Sequence, residues 1–233
     1  MLSAVHKAAV LEPTFAAGGY LVVDDALEPS AAEAVAARID AARDAFRLVA
    51  RNGVHPRMMV FDKPLAPAKE AVLRAQLGLA CSSGLFTCIY WLWEVPNGDD
   101  AGGDDPAAEL QRWFKSPACW SWVEGVTGVC PVECQVAGVG RYGAGDYLGS
   151  HTDRLVKFGH RRKVAFALYL SRGWSPGMGG ELLLAEETGG IQRVAPAWNR
   201  LVLFDVDRIR EHSSTAVTHD EFEKISLPGF FCV

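Results

Sequence analysis

The sequence predicts a mainly β domain with supporting helices, an α+β arrangement built on a β-sandwich or barrel. Three observations predict it. From Cys134 onward, short apolar runs alternate with Gly-rich turns, the pattern of many short strands. Before that point, apolar residues recur at helical spacing in two stretches. The length, 233 residues, suits one elaborated domain better than two full ones.

Taken in order, Tyr20, Leu21, Val22 and Val23 read as a short buried strand within residues 19–25. Pro29 and Ser30 then open a helix, and Ser30 stands three residues before Glu33, the spacing of a capping box. Val35, Ile39, Phe46 and Val49 continue its apolar face. Residues 66–80 carry a second helical pattern. Residues 84–123 are rich in tryptophan: Trp91, Trp93, Trp113, Trp120 and Trp122. Core packing is the first reading of these rings, with one or two available to line a substrate pocket. Residues 96–106, dominated by Gly, Asp and Pro, read as a loop or lid. The strands that follow fall at 134–142, 147–151, 163–171, 181–185, 191–194, 200–205 and 224–232. No internal repeat is present. The expectation is one domain over 1–233, in which 1–133 form an α-rich support and lid and 134–233 form the β core.

Composition narrows the function. The net charge of −5 argues against a nucleic-acid surface. No apolar run is long enough to span a membrane, and the N-terminus lacks the features of a signal peptide, so the expectation is a cytoplasmic protein. Six cysteines stand at 81, 88, 119, 130, 134 and 232 without a Cys-x-x-Cys pair. They fit neither a zinc ribbon nor a disulfide framework, and read as reduced, mostly buried small hydrophobes.

The chemistry concentrates at His151-Thr152-Asp153. On a strand, positions i and i+2 share a face, so His151 and Asp153 can reach one ion while Thr152 faces away. An imidazole and a carboxylate suit ferrous iron or manganese better than a structural zinc site, which favours thiolates. A third ligand must come from His160, His212 or His219. His160 lies in a charged loop too close to turn back, and His219 sits in a polar hairpin. His212, just beyond the apolar run 201–204, is preferred. One decoy competes: residues 138–143 match G-x-G-x-x-G, but a strand rather than a helix is expected next, which argues against a dinucleotide site.

These pieces resemble, in order, the prolyl-4-hydroxylase-like branch of the iron(II)/2-oxoglutarate-dependent dioxygenases. Residues 141–153 are similar to that family's ligand strand, and 164–171 to its central strand. Trp174 through Gly179-Gly180-Glu181-Leu182 resembles its turn and following strand. Residues 195–204 resemble the strand before the distal histidine, and 224–231 the final strand. The resemblance covers 134–233. It implies a double-stranded β-helix (a jelly-roll, cupin-like core), with iron ligands His151, Asp153 and His212. It further implies that Tyr169 and Lys224 bind the distal carboxylate of 2-oxoglutarate, with Ser226 and Tyr142 beside them. Lys224 stands where most relatives have Arg, giving a point charge in place of a bidentate fork. The implied cofactors are Fe(II), 2-oxoglutarate and O2, with ascorbate as an assay additive. Related halogenases carry a small residue at the position of Asp153, so its retention implies hydroxylation or a related oxidation in place of halogenation.

The resemblance leaves the primary substrate open. A free amino acid or small carboxylate metabolite is the first expectation, and a prolyl or other residue in a peptide or protein the second. A basic run follows the ligand pair, and Arg154, Lys157 and Arg161 are candidates to hold an anionic group of a small-molecule substrate, with Trp174 beside them. A solvated charged loop is the plain alternative. Two further classes stay open: a non-catalytic metal-binding or interaction module on the same barrel, and a nucleic-acid demethylase, which the acidic composition disfavours.

Overall fold

The computed structural model describes residues 1, 6–54, 57–95, 105–157, 159–187 and 189–233. Its N-terminal half runs α1 (Ala8–Gly18), β1 (Tyr20–Val23), α2 (Pro29–Ala41), β2 (Arg47–Arg51), β3 (Met59–Phe61), α3 (Pro67–Ser82), β4 (Cys88–Trp93), α4 (Pro106–Phe114) and α5 (Pro117–Thr127). Ten strands follow: β5 (Glu133–Val136), β6 (Val139–Tyr142), β7 (Tyr147–His151), β8 (Val156–Lys157), β9 (His160–Tyr169), β10 (Leu182–Glu186), β11 (Ile191–Val194), β12 (Arg200–Asp205), β13 (Ile209–Ser214) and β14 (Lys224–Cys232).

The strands join in the order β1-β12-β9-β14-β6-β4-β7-β13-β10-β11, through antiparallel ladders, and the sheet curls round into a double-stranded β-helix. The N-terminal half is more than helical support. Its β1 pairs with β12, and β4 sits between β6 and β7.

The centre of the fold is β9, buried on both faces. Val164, Phe166 and Leu168 pack into the main core with Phe15, Val35, Ile39, Leu110, Phe114 and Val123 from the helices. Ala165, Ala167 and Tyr169 face the interior with Leu182, Leu184, Val202 and Phe204. Two alanines on the inner face matter because small side chains leave room inside the barrel. β14 crosses β9 closely at Gly229, where a Cβ would lie 2.3 Å from the Phe166 ring, so glycine is required there.

Several local expectations are corrected. Helix α2 starts at Pro29 with Glu28 as its N-cap and no side-chain cap bond. Ser30 therefore lies inside the first turn and forms no capping box, while Glu33 pairs with Arg172 instead. Phe46 and Val49 are not helical: the chain leaves α2 at Ala41, makes a short 3-10 turn over Arg43–Ala45, and enters β2. The apolar spacing ran past the helix end because strand residues happened to fall on the same period. The run 134–142 is two strands, broken around Gly138, whose φ of 100° ends β5's extension. His212, just beyond the apolar run 201–204, lies on a further strand, β13, that is not among the expected strands. The G-x-G-x-x-G segment continues from β6 into a turn and strand β7, with no helix. All six cysteines are free, four of them buried. Of the expected 96–106 loop, residues 96–104 lie outside the described residues; Asp105 caps α4 by accepting from the Ala107 and Ala108 amides. Among the described residues, no helix is long and apolar enough to cross a membrane.

Candidate metal and cosubstrate site

A cavity of about 420 Å³ opens between the two walls of the barrel. At its outer end His151, Asp153 and His212 offer ligand atoms that all lie within 4.8 Å of one another, the sole such cluster of metal-ligating groups among the described residues. Three elements place them. His151 is the last residue of β7 and pairs directly with His212 on β13. Asp153 follows two residues after β7 ends, buried, while Thr152 between them is exposed. Gly149 lets this strand approach residue 87: its amide donates to the Thr87 carbonyl at 2.8 Å, and a Cβ at Gly149 would sit 2.5 Å from that oxygen.

The ligand atoms are oriented for an ion. His151 Nδ1 lies 2.9 Å from the Gly149 carbonyl, which can only accept, so Nδ1 carries the hydrogen and Nε2 is free. Nε2 of His212 lies 3.2 Å from Oδ2 of Asp153, and Nε2 of His151 lies 3.8 Å from Oδ1. The two imidazoles face each other at 4.1 Å between ring centres, with Phe204 and Phe86 against them at 4.9 and 5.2 Å. Burial holds Asp153 above the usual carboxylate range, against the opposing pull of His151 and Arg162. Burial, reinforced by His151, pushes His212 well below the usual histidine range, so it stays a neutral lone-pair donor. Two neutral nitrogens and one carboxylate are the donor set that suits ferrous iron and leaves one face open.

The inner end of the cavity is built around Lys224, the first residue of β14. Its side chain is buried, and Nζ donates a short hydrogen bond to Ser214 Oγ. Nζ lies 4.3 Å from the Tyr142 ring centre and 5.6 Å from that of Tyr169. Among the described residues, no carboxylate pairs with it. Burial alone pushes its pKa down to about 7. Burial likewise raises the phenols of Tyr142 and Tyr169. Ser226, two residues along β14, shares the cavity wall, and Tyr90 stacks on Tyr142 at 4.9 Å. Ser214 is two residues from His212 on β13, so one strand serves both ends. A buried cation with one hydroxyl partner fits an incoming anion, and the size and polarity of this end fit a carboxylate group.

A model of the 2OG-Fe(II) oxygenase superfamily matches residues 137–232, the segment that carries all of these groups except the β4 wall. Over residues 137–232 the chain carries a segment of the 2OG-Fe(II) oxygenase superfamily. Fe(II), 2-oxoglutarate and O2 are the cofactors of that superfamily, and both ends of the cavity fit them. Over 117 residues, 48% of its length, the oxygenase is 29% identical to prolyl 3-hydroxylase OGFOD1 of Mus musculus. It is 31% identical over 116 residues to the Xenopus laevis protein of the same name. The matches span 21% and 22% of those relatives, about a fifth of their length. In fold it is similar to a Pseudomonas putida prolyl-4-hydroxylase, with a TM-score of 0.60 at 16% identity over 99% of this chain and 94% of that one. It is also similar to a Trichoplax adhaerens prolyl hydroxylase solved with a hypoxia-inducible-factor peptide fragment, with a TM-score of 0.60 at 15% identity over 96% and 88%.

The expected iron ligands and the expected cosubstrate residues Tyr142, Tyr169, Lys224 and Ser226 all line this one cavity. Of the expected substrate residues, Arg154, Arg161 and Trp174 do not. Arg154 donates to the backbone carbonyls of Val206 and Asp207, and Arg161 pairs with the Asp207 carboxylate at 2.7 Å. Lys163 joins them by pairing with Asp205 and Asp207. Arg154, Arg161 and Lys163 are thus tied to residues 205–207, with the charges of Arg161 and Lys163 paired there. The side chain of Lys157 lies outside the described residues. Trp174 packs beside Tyr142 and Phe222 and donates to the Gly179 carbonyl, away from the cavity lining. The other tryptophans are core or half-buried support. His160 starts β9 in the hairpin with β8, and His219 is exposed in a turn.

Two arginines that sequence reasoning passed over face the cavity instead. Arg162 lies with its guanidinium 3.6 Å over the Phe230 ring and 3.7 Å from Asp153. Strict alternation along β9 would send it out with Val164 and Phe166. The register shift between Phe231 and Cys232 in the β9–β14 ladder resets that alternation beside it. Arg51, the last residue of β2, reaches the same cavity over the Phe86 ring. Nothing in the local sequence around Arg51 signals this; it follows from β2 pairing with β4.

Proposed function

We propose that this chain is an Fe(II)- and 2-oxoglutarate-dependent hydroxylase that acts on a prolyl residue of a peptide or protein and releases succinate and CO2. One observation carries the reading. A two-histidine, one-carboxylate cluster and a buried lysine without a counter-ion face the same cavity from opposite ends. His151, Asp153 and His212 would hold the iron on one side. Lys224, with Ser214 and Tyr169 about it, would bind the distal carboxylate of 2-oxoglutarate, with Ser226 and Tyr142 beside it. Bound iron supplies the activation of O2 and the oxidation of a C–H bond. The chain contributes placement. Ala165, Ala167, Leu182 and Phe204 give the cavity an apolar wall that limits water. Asp153 fills the ligand position that a halide would need, so the product carries oxygen. Residues 1–233 are read as one oxygenase domain, with 1–133 backing the 134–233 core.

The prolyl substrate replaces the free amino acid as the first reading because the relatives in sequence and fold bear prolyl hydroxylase names. The cavity entrance also carries Met58, Phe86 and Phe230, an apolar rim of the kind a peptide chain crosses. A small carboxylate remains the second reading, favoured by the two inward arginines. The protein reconstituted with Fe(II) and 2-oxoglutarate is incubated in air with proline-containing peptides and with free amino and carboxylic acids. Succinate release and added oxygen are read by mass spectrometry. Oxygen on a prolyl ring, matched by succinate, is the expected result. Oxygen on a free acid alone supports the second reading. Failure to bind Fe(II) at all overturns both.

A further inference from the structure

Among the described residues two buried side-chain nitrogens lack a hydrogen-bond partner, Nε of Arg51 and Nε of Arg141, and only Arg141 also has an ion pair, with Glu223. Nε of Arg51 is buried with no hydrogen-bond partner, and Arg51 forms no ion pair among the described residues. Its guanidinium carbon lies 5.1 Å from the Phe86 ring centre, and Phe86 in turn lies 5.2 Å from the His151 ring. The group is therefore held on the iron side of the cavity, one aromatic ring away from a metal ligand. A guanidinium resting on an aromatic face keeps its edge donors free for a planar anion.

Charge points the same way. The cavity lining contains three cations, Arg51, Arg162 and Lys224, and a single carboxylate, Asp153. Asp153 is engaged by the metal cluster, and Lys224 is the anchor for the cosubstrate. Arg162 keeps Asp153 as a neighbour at 3.7 Å. Arg51 alone has neither a carboxylate partner nor an assigned task. A cation in a partly desolvated cavity is unfavourable unless an anion arrives to meet it.

We propose that Arg51 is a specificity-determining residue that takes a carboxylate of the primary substrate. On the prolyl reading, on which this inference rests for its substrate class, the carboxylate is an acidic side chain close to the hydroxylated proline. Bidentate Arg–carboxylate pairing fixes orientation as well as affinity, so it would set which C–H bond is presented.

The test uses the full chain loaded with Fe(II) and 2-oxoglutarate. One panel holds synthetic proline-containing peptides with Glu, Gln or Lys at each flanking position. A second panel holds small carboxylic acids and their amides. Oxidation is read by mass, and binding of fluorescent versions is read anaerobically by anisotropy, independent of turnover. The wild-type protein is expected to favour Glu over Gln at one position by about tenfold, the scale of one charge-assisted hydrogen bond. R51Q should shrink that preference to under about twofold while leaving the KM for 2-oxoglutarate unchanged. R51K, which keeps the charge but not the fork, should retain part of the preference and guards against a misfolded Gln variant. Absence of a carboxylate preference in both panels overturns the proposal, as does R51Q with the preference intact. A preference that depends on Arg51 among the small acids, with no peptide bound, keeps the role of Arg51 and removes the prolyl reading.

Discussion

The two ends of the cavity solve opposite problems. At the iron end, three ligands cluster with their neighbours in place, Asp153 lying close to both histidines and to Arg162. Remove the ion and the side chains still satisfy one another in part. At the inner end, Lys224 is fully enclosed with a single hydroxyl for company. That end is unfavourable when empty and becomes favourable when filled. The iron end is preorganised by contacts among its own residues. The inner end is preorganised by the lack of them, since a poorly solvated charge binds an anion more strongly than a well-solvated one.

The largest test of this contrast removes the metal ligands. His151→Ala or His212→Ala should abolish stoichiometric Fe(II) binding and turnover. The loss should exceed the roughly 10–100-fold that an outer partner costs. Circular dichroism should show the fold retained. If His212→Ala keeps full activity, the assignment of the distal ligand is wrong. Next comes Lys224→Ala. The apparent affinity for 2-oxoglutarate should fall by about 2–5 kcal/mol, typical of truncating one side of a desolvated charge pair. Without cosubstrate the variant should melt no lower than the wild type, because a buried cation with one partner has been removed. Lower affinity paired with equal or higher stability would be the signature of the inner end. A variant that loses both would place Lys224 in the structural core instead.

A smaller effect separates the ends by pH. Burial pushes the Lys224 pKa down to about 7 from an ordinary value of 10.5. Between those values the unfolded chain holds the proton and the folded, cosubstrate-free chain does not. The contribution of this group to stability is therefore lowest below about pH 7 and recovers as pH rises towards 10.5. Binding a dianion restores the charge, so above pH 7 binding takes up a proton. The apparent affinity for 2-oxoglutarate should be flat below about pH 7 and weaken above it, with a limiting slope of ~tenfold per pH unit. Lys224→Arg should flatten the profile, since guanidinium stays protonated. A wild-type profile that is flat from pH 6 to 9 would show that Lys224 is charged before the ligand arrives. The smallest effect is expected at Arg161, whose charge is paired outward with Asp207. Arg161→Gln should leave both metal and cosubstrate affinity unchanged, and a clear change in either would mean that the basic run reaches the site after all.

How much of this the sequence disclosed follows the range of the interactions. The iron pair is local: His151 and Asp153 are two residues apart, and the alternation of a strand puts them together. Lys224, Tyr169 and Ser226 were legible through ordered resemblance to a known family, and they meet because β14 lies between β6 and β9. Arg162 was hidden because a register shift reverses the face that alternation assigns to it. Arg51 was hidden because its place depends on β2 reaching the sheet through β4, far in sequence from the ligand strand β7. The basic residues that did stand out in sequence, Arg154 and Arg161, have partners far along the chain that sequence spacing does not reveal: the Val206 and Asp207 carbonyls for Arg154 and the Asp207 carboxylate for Arg161. The α2 boundary failed for a nearer reason: strand residues fell by coincidence on a helical period.

β13 carries His212 and Ser214 two positions apart, one reaching the metal cluster and the other holding Lys224. The two sites are therefore inherited as one unit of length. Insert or delete a single residue between positions 209 and 212 and both would turn to the wrong face together, whereas a change at 213 would send them to opposite faces, because alternation has a period of two. Residues 215–218 are still tied to the sheet through the Val217 bridges to Ala144 and Gly179, but 219–223 beyond them have no such constraint from the ladder. Length variation among sequences of this kind should accordingly collect at 219–223 and stay out of β13, whatever substrate each has come to use.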